Sequence, residues 1–129
     1  MEPGRMQTPL RRVLHLGSAR EGTSHFWRQR LTAIANVPLV IAFVVVIVSL
    51  VGQPHDQVVA TLASPLVAVL LLLMIASITV HMRIGMQIVI EDYVHGDGAR
   101  VVALIANTFF VVVIAALCGF AILNLALGG

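Results

Sequence analysis

The chain has 129 residues, 59% of them hydrophobic and 11% charged, with a mean hydropathy of +0.99. Soluble domains run at about 45–50% apolar and about 25% charged, so this composition excludes an ordinary soluble domain and points to a bundle of membrane helices. The net charge of +2 rests on eight basic residues, all arginine; six of them (Arg5, Arg11, Arg12, Arg20, Arg28, Arg30) precede the first apolar run, which is an orientation signal and excludes a nucleic-acid-binding face.

Residues 1–30 form a basic N-terminal segment. It does not have the form of a secretory signal: the first apolar run starts near residue 31, further spans follow, and no small-residue cleavage site is present. The segment is brief, carries Glu2 and Glu21, and shows no clear amphipathic pattern. A bacterial protein is therefore expected rather than one with a mitochondrial presequence. Residues 31–129 form a membrane domain with three predicted spans.

The first span, "LTAIANVPLVIAFVVVIVSLV" (31–51), fits the roughly 20 residues that cross a hydrocarbon core of about 30 Å. "GQPHDQ" (52–57) links it to the second, with Gly52 and Pro54 as stops. The second apolar run, 58–90, is about 33 residues and would reach about 50 Å as one helix. It is expected to project beyond the hydrocarbon, with His81, Arg83 and Gln87 interrupting its second half. "EDYVHGDGAR" (91–100) leads to the third span, 101–127, which holds no ionisable side chain apart from the lone Cys118. Pro38 and Pro65 are expected to kink their helices. Cys118 reads as a small buried hydrophobe, since one cysteine makes neither a disulfide within the chain nor a metal site. Arginine-rich flanks stay on the cytoplasmic side. The N-terminus and the 91–100 loop are thus predicted inside, and the 52–57 loop and the C-terminus outside.

His81 is the sharpest chemical signal. It ends a stretch, Leu62 to Val80, broken only by small hydroxyls and one proline. Ionisable groups at membrane depth are costly, face the bundle interior and mark functional sites. A neutral imidazole is a good axial ligand for haem iron. Gly85, four residues on, shares its helix face and would let a flat macrocycle approach. Ser77, four residues before, is placed to take the other ring N–H and fix the tautomer. A structural histidine bonded to a neighbouring helix fits the same position. The other histidines (His15, His25, His55, His95) lie outside the spans, so a six-coordinate haem would take its second ligand from another polypeptide.

Asp92 and Tyr93 follow eleven and twelve residues later. In a continuous helix Asp92 returns to nearly the azimuth of His81, about 16 Å further along. A phenol that donates to a carbonyl oxygen, beside a carboxylate that orients it or moves protons, suits a quinone headgroup at the membrane edge. An aromatic-belt tyrosine next to a solvated helix-end acid is the plainer reading of the same two residues. Arg28, Arg30, His25 and Trp27 cluster at the start of the first span. The arginines there suit haem propionates, lipid phosphates or a partner's acids, beside their role in topology. Trp27 suits an interface anchor. Arg83 lies about 200° from His81 around the helix and points away from any group bound there, toward phosphate or a partner.

The pattern His81-x-x-x-Gly85-x-x-x-x-x-x-Asp92-Tyr93, extended by "DYVHGD", resembles the smaller, D-type membrane-anchor subunits of succinate dehydrogenase, respiratory complex II. "SHFWRQRLTAIA" (24–35) resembles the start of the first span in that family. The resemblance covers the whole topology. It implies an all-α fold, three transmembrane helices forming half of a six-helix bundle with a second three-helix anchor subunit of the cytochrome b556 type. It implies haem b between the two subunits, with His81 as this chain's ligand and one histidine from the partner. Tyr93 matches the tyrosine that hydrogen-bonds ubiquinone, and Asp92 its neighbour. Arg30 matches an arginine near the haem propionates. His25, a candidate for the same contact, stands one position away from the family's histidine. An iron–sulphur subunit and a flavoprotein subunit are the implied soluble partners, with succinate oxidised on the latter. The implied location is the bacterial cytoplasmic (inner) membrane, with lipid around the helices and no nucleic acid.

Three readings of the chain follow. The first is the complex II anchor, or its fumarate-reductase counterpart running in reverse. The second is a haem-free membrane scaffold in which His81 is structural. The third, a small transporter, fits poorly with three spans, no repeat and one intramembrane ionisable group.

Overall fold

The computed structural model describes residues 19–128; Arg5, Arg11, Arg12 and His15 of the basic segment lie outside the described residues. Among the described residues the chain is all helical, with α1 Ala19–Leu50, α2 His55–Ala63, α3 Pro65–Tyr93 and α4 Asp97–Ala126. Three stretches are long and apolar enough to cross a membrane: Phe26–Leu50, Pro65–Tyr93 and Asp97–Ala126. This is the integral-membrane helical architecture expected from composition and spacing.

The apolar run 58–90 is not one helix. α2 ends at Ala63, and Ser64 adopts an extended conformation (φ −62°, ψ 140°) before α3 starts. The cause is Pro65. Its ring disfavours helical geometry in the residue before it, and it has no N–H to continue the ladder. The first turn of a helix needs no such N–H, so Pro65 is well placed to open α3. Ser64 serves both ends. Its hydroxyl donates to the Thr61 carbonyl at 2.7 Å, and its own carbonyl accepts the first α3 bond from Ala68 N–H at 2.9 Å. The expected kink at Pro65 is thus a full break. α2, at nine residues or about 13 Å, cannot cross a bilayer and acts as a helical connector packed on α3 and α4.

At the other proline the outcome differs: α1 stays helical on both sides of Pro38. α1 ends where Gly52 takes a left-handed φ of 78°, open to glycine at no steric cost. α3 continues past its last apolar residue to Tyr93, so Asp92 and Tyr93 lie in its final turn.

α3 is the central element, packed against α1 on one side and α4 on the other. Its Ala68, Met74, Thr79, Ile84 and Ile90 are buried, with Val111 of α4. Thr79 is polar but self-sufficient, since its hydroxyl donates back to the Ile75 carbonyl at 2.6 Å. Asn107 Nδ2 of α4 donates to the Arg83 carbonyl of α3 at 3.1 Å and pins the two helices. The outer faces remain strongly apolar, with Val44, Val48, Phe109 and Phe120 among many exposed large side chains. A helix satisfies its own backbone, so these faces suit hydrocarbon or further helices.

Candidate functional site

The site is built where α3 packs against the N-terminal half of α1. His81 projects from α3 and is half-buried. Its Nδ1 lies 3.1 Å from Thr32 Oγ1, and its Nε2 lies 3.5 Å from Gln29 Nε2, both residues of α1. The Thr32 hydroxyl is also 2.9 Å from the Arg28 carbonyl and 3.0 Å from that of Gln29. Ser77, one turn before His81, donates to the Thr32 carbonyl at 3.4 Å. Ser77 therefore braces the residue that holds the ring rather than holding the ring itself, contrary to the pairing expected from helix spacing.

Gly85 lies one turn after His81 and faces Gln29. A Cβ built there would stand 3.4 Å from Gln29 Nε2. The missing side chain makes room for an amide beside the imidazole. Two polar atoms of α1, Gln29 Oε1 and Asn36 Oδ1, are buried without a hydrogen-bond partner. Gln29, Thr32 and Asn36 fall at i, i+3 and i+7, so they form one polar stripe on an otherwise apolar helix. Continuing from this stripe, an open groove of about 550 Å³ runs between α1 and α3, past Thr32, Ala35, Pro38, Leu73 and Ser77.

The remaining predicted residues stand apart from His81. Arg30 is exposed and its guanidinium lies over the Phe26 ring, 5.0 Å from the centroid. Phe26 in turn meets Trp27 edge-on at 6.3 Å. This basic and aromatic cluster sits at the start of the membrane-spanning part of α1, where arginine and tryptophan suit a membrane interface. The backbone of His25 belongs to α1, but its side chain lies outside the described residues. Arg83 is exposed, and its carbonyl carries the Asn107 contact.

Asp92 and Tyr93 are both exposed at the end of α3, Tyr93 at 76%. Eleven residues of continuous helix place Asp92 about 16 Å beyond His81 along the axis. The turn beyond them is closed by Arg100, whose Nε donates to the Val94 carbonyl at 3.0 Å. Gln87 donates to Glu91 at 2.8 Å on the same last turns. Among the described residues no three His, Cys, Asp or Glu side chains group as metal ligands.

Gln29 and Thr32 were not singled out by sequence reasoning. The available signal was their polarity at helical spacing inside "RQRLTAIAN", in a helix that otherwise turns apolar there.

Comparison with known proteins agrees with this architecture. The family model described as succinate dehydrogenase/fumarate reductase transmembrane subunit matches residues 4–120. The chain is 32% identical over 121 residues to the succinate dehydrogenase hydrophobic membrane anchor subunit of Paracoccus denitrificans, covering 94% of this chain and 93% of that one. It is 29% identical over 96 residues to the succinate dehydrogenase membrane anchor subunit of Reclinomonas americana, covering 72% and 80%. It is 30% identical over 94 residues to the corresponding hydrophobic anchor subunit of Rickettsia bellii, covering 73% and 75%. No solved structure matches the chain. With the match running through the first two spans and most of the third, the chain belongs to the succinate dehydrogenase/fumarate reductase transmembrane subunit family.

Proposed function

We propose that this chain is a multi-pass anchor subunit of succinate:ubiquinone oxidoreductase in a bacterial inner membrane, supplying one axial ligand to haem b and part of the ubiquinone-reduction site. The observation that carries the ligand reading is His81 itself: a half-buried imidazole in a membrane helix, held from one side by α1. Its surroundings fit such a group. The ring nitrogen away from the hydroxyl lies 3.5 Å from the amide nitrogen of Gln29, whose own oxygen is buried and without a hydrogen-bond partner. Gly85 leaves the neighbouring turn without a side chain. When bound, haem supplies a one-electron redox centre close to the quinone chemistry. His81 would hold its iron, and Arg30 is the candidate for its propionates, with His25, five residues earlier, as a second candidate.

His81 is one ligand of two. His25 precedes the first span, His55 opens α2 and His95 follows α3, so no other histidine among the described residues lies within a span, and the second imidazole comes from a partner anchor packed on the apolar outer faces. Together they form a six-helix domain. The iron–sulphur and flavoprotein subunits dock on the cytoplasmic side, the side of the N-terminus and the 94–96 turn, with the C-terminus periplasmic.

At the end of α3 the phenol of Tyr93 donates a hydrogen bond to a carbonyl oxygen of the quinone. Asp92 beside it orients the phenol and relays protons from the aqueous side. Reduction to the quinol consumes two electrons, delivered through the iron–sulphur subunit, and two protons. Exposure of both side chains in this chain alone fits a pocket completed by partner subunits.

The contact between Gln29 and His81 Nε2 favours a second reading, a haem-free scaffold in which the ring only pins α1 to α3. The dithionite-reduced minus oxidised spectrum of the complex, co-expressed with its neighbouring membrane subunit, separates the two. A b-type spectrum that His81→Ala weakens or shifts supports the ligand reading. A well-assembled complex without haem leaves Asp92 and Tyr93 as a quinone site in a haem-free anchor. A fumarate-reductase role reverses only the direction of electron flow, set by the quinone and its partners.

A further inference from the structure

We infer that Thr32 is a positioning residue that selects the tautomer of His81 and so makes Nε2 its ligating nitrogen. The inference rests on the haem-ligand reading above. Thr32 Oγ1 has three polar neighbours: the Arg28 carbonyl at 2.9 Å, the Gln29 carbonyl at 3.0 Å and His81 Nδ1 at 3.1 Å. A hydroxyl donates one hydrogen and accepts through its lone pairs, while carbonyls only accept. The two carbonyls are the nearer pair, and they are the usual partners of a helical threonine, which bonds back to the preceding turn. The single hydrogen therefore goes to the α1 backbone, and the oxygen turns a lone pair toward the ring.

Nδ1 must then carry the imidazole hydrogen and donate it to Thr32. A neutral imidazole has one N–H, so Nε2 holds the lone pair. The opposite edge of the ring agrees. What faces Nε2, at 3.5 Å, is the amide nitrogen of Gln29, which only donates. The Thr32 contact carries the assignment, because a Gln29 amide turned over would present its oxygen to the same ring nitrogen. Thr32 is itself anchored, because Ser77 of α3 donates to its carbonyl one turn away from the ring. A ligating histidine whose other nitrogen donates to a fixed acceptor is oriented and made more basic. The extra basicity favours the more positive, oxidised iron and lowers the reduction potential.

The test uses the whole complex carrying the wild-type chain, Thr32→Val, Thr32→Ser or His81→Ala. Dithionite-reduced samples are titrated with carbon monoxide, which takes the iron position that a loosely held histidine gives up, and the haem midpoint potential is measured in parallel. Loss of such a supporting bond typically weakens metal binding 10–100-fold. Thr32→Val is therefore expected to bind carbon monoxide about tenfold more tightly than wild type, with a raised potential. Thr32→Ser, which keeps the hydroxyl, stays with wild type on both readouts. Thr32→Val matching wild type, while His81→Ala alters the spectrum, overturns the role of Thr32 and leaves the ligand reading standing. Thr32→Ser shifting as far as Thr32→Val overturns it too, since the methyl and not the hydroxyl would be responsible. An unchanged spectrum in His81→Ala removes the ligand reading and this inference together. If Thr32→Val does not assemble, Thr32→Ala replaces it with the same expectations.

Discussion

Tyr93 and His81 occupy one helix but meet different surroundings, and each is best tested by a change that spares the other. The Tyr93 phenol is exposed in the last turn of α3, outside the packed core. Tyr93→Phe removes one hydroxyl and little else. Assembly and the haem spectrum are expected to be unchanged, with quinone turnover falling about tenfold, the effect of losing roughly 1.4 kcal/mol of hydrogen bonding. Normal ubiquinone reduction by that variant would remove Tyr93 from the site. At this scale the sequence was informative for chemistry and blind to partners. His81, Asp92 and Tyr93 stand out because a polar side chain is conspicuous in an apolar run. That Thr32 rather than Ser77 receives the ring was not legible. Helix spacing reports neighbours within α3, whereas Thr32 reaches His81 only through the way α1 crosses it. Gln29 was hidden for the same reason, as one polar residue among the arginines of a basic head.

At the level of elements, the break at Ser64–Pro65 separates a connector from a span, and composition did not reveal it. Around Ser64–Pro65 the run 58–90 carries no charged residue, so hydropathy sees one segment where backbone geometry makes two. A proline inside an apolar run suggests a kink in a continuous helix, but at the head of α3 it is a start signal. Pro65→Ala returns an N–H at residue 65 and frees Ser64 to become helical. Amide hydrogen exchange at Ser64 and Leu66 is expected to slow markedly as α2 and α3 fuse; rapid exchange there would assign the break to packing instead. The Asn107 contact on Arg83 predicts a smaller effect. Interhelical hydrogen bonds in membranes average about 0.6 kcal/mol, so Asn107→Ala should lower unfolding stability in detergent by about that amount. A loss of several kcal/mol would mean Asn107 holds more than this one carbonyl.

At the scale of the molecule, few side chains among the described residues are buried and most large apolar ones are exposed, which suits a subunit that completes its packing with lipid and other chains. The arginine distribution predicts which end faces the cytoplasm. With Cys118 replaced by alanine, a cysteine introduced at Gln57 should react with an impermeant maleimide on intact spheroplasts. One at Gly98 should react only after permeabilisation. The reverse labelling pattern would invert the proposed topology and place the quinone-side residues on the periplasmic face. The three-span architecture was legible because membrane length sets it.

The unbroken helix from Pro65 to Tyr93 also acts as a ruler. Between His81 and Asp92 the distance is counted in residues, with no loop to absorb an error. One inserted residue there would lift the Asp92–Tyr93 pair by about 1.5 Å and swing it about 100° around the axis. Insertions in the 52–57 connector would leave both positions untouched. The exposed positions of the segment between the two candidate sites should therefore accept substitutions, while the segment rejects changes of length and the connector accepts both.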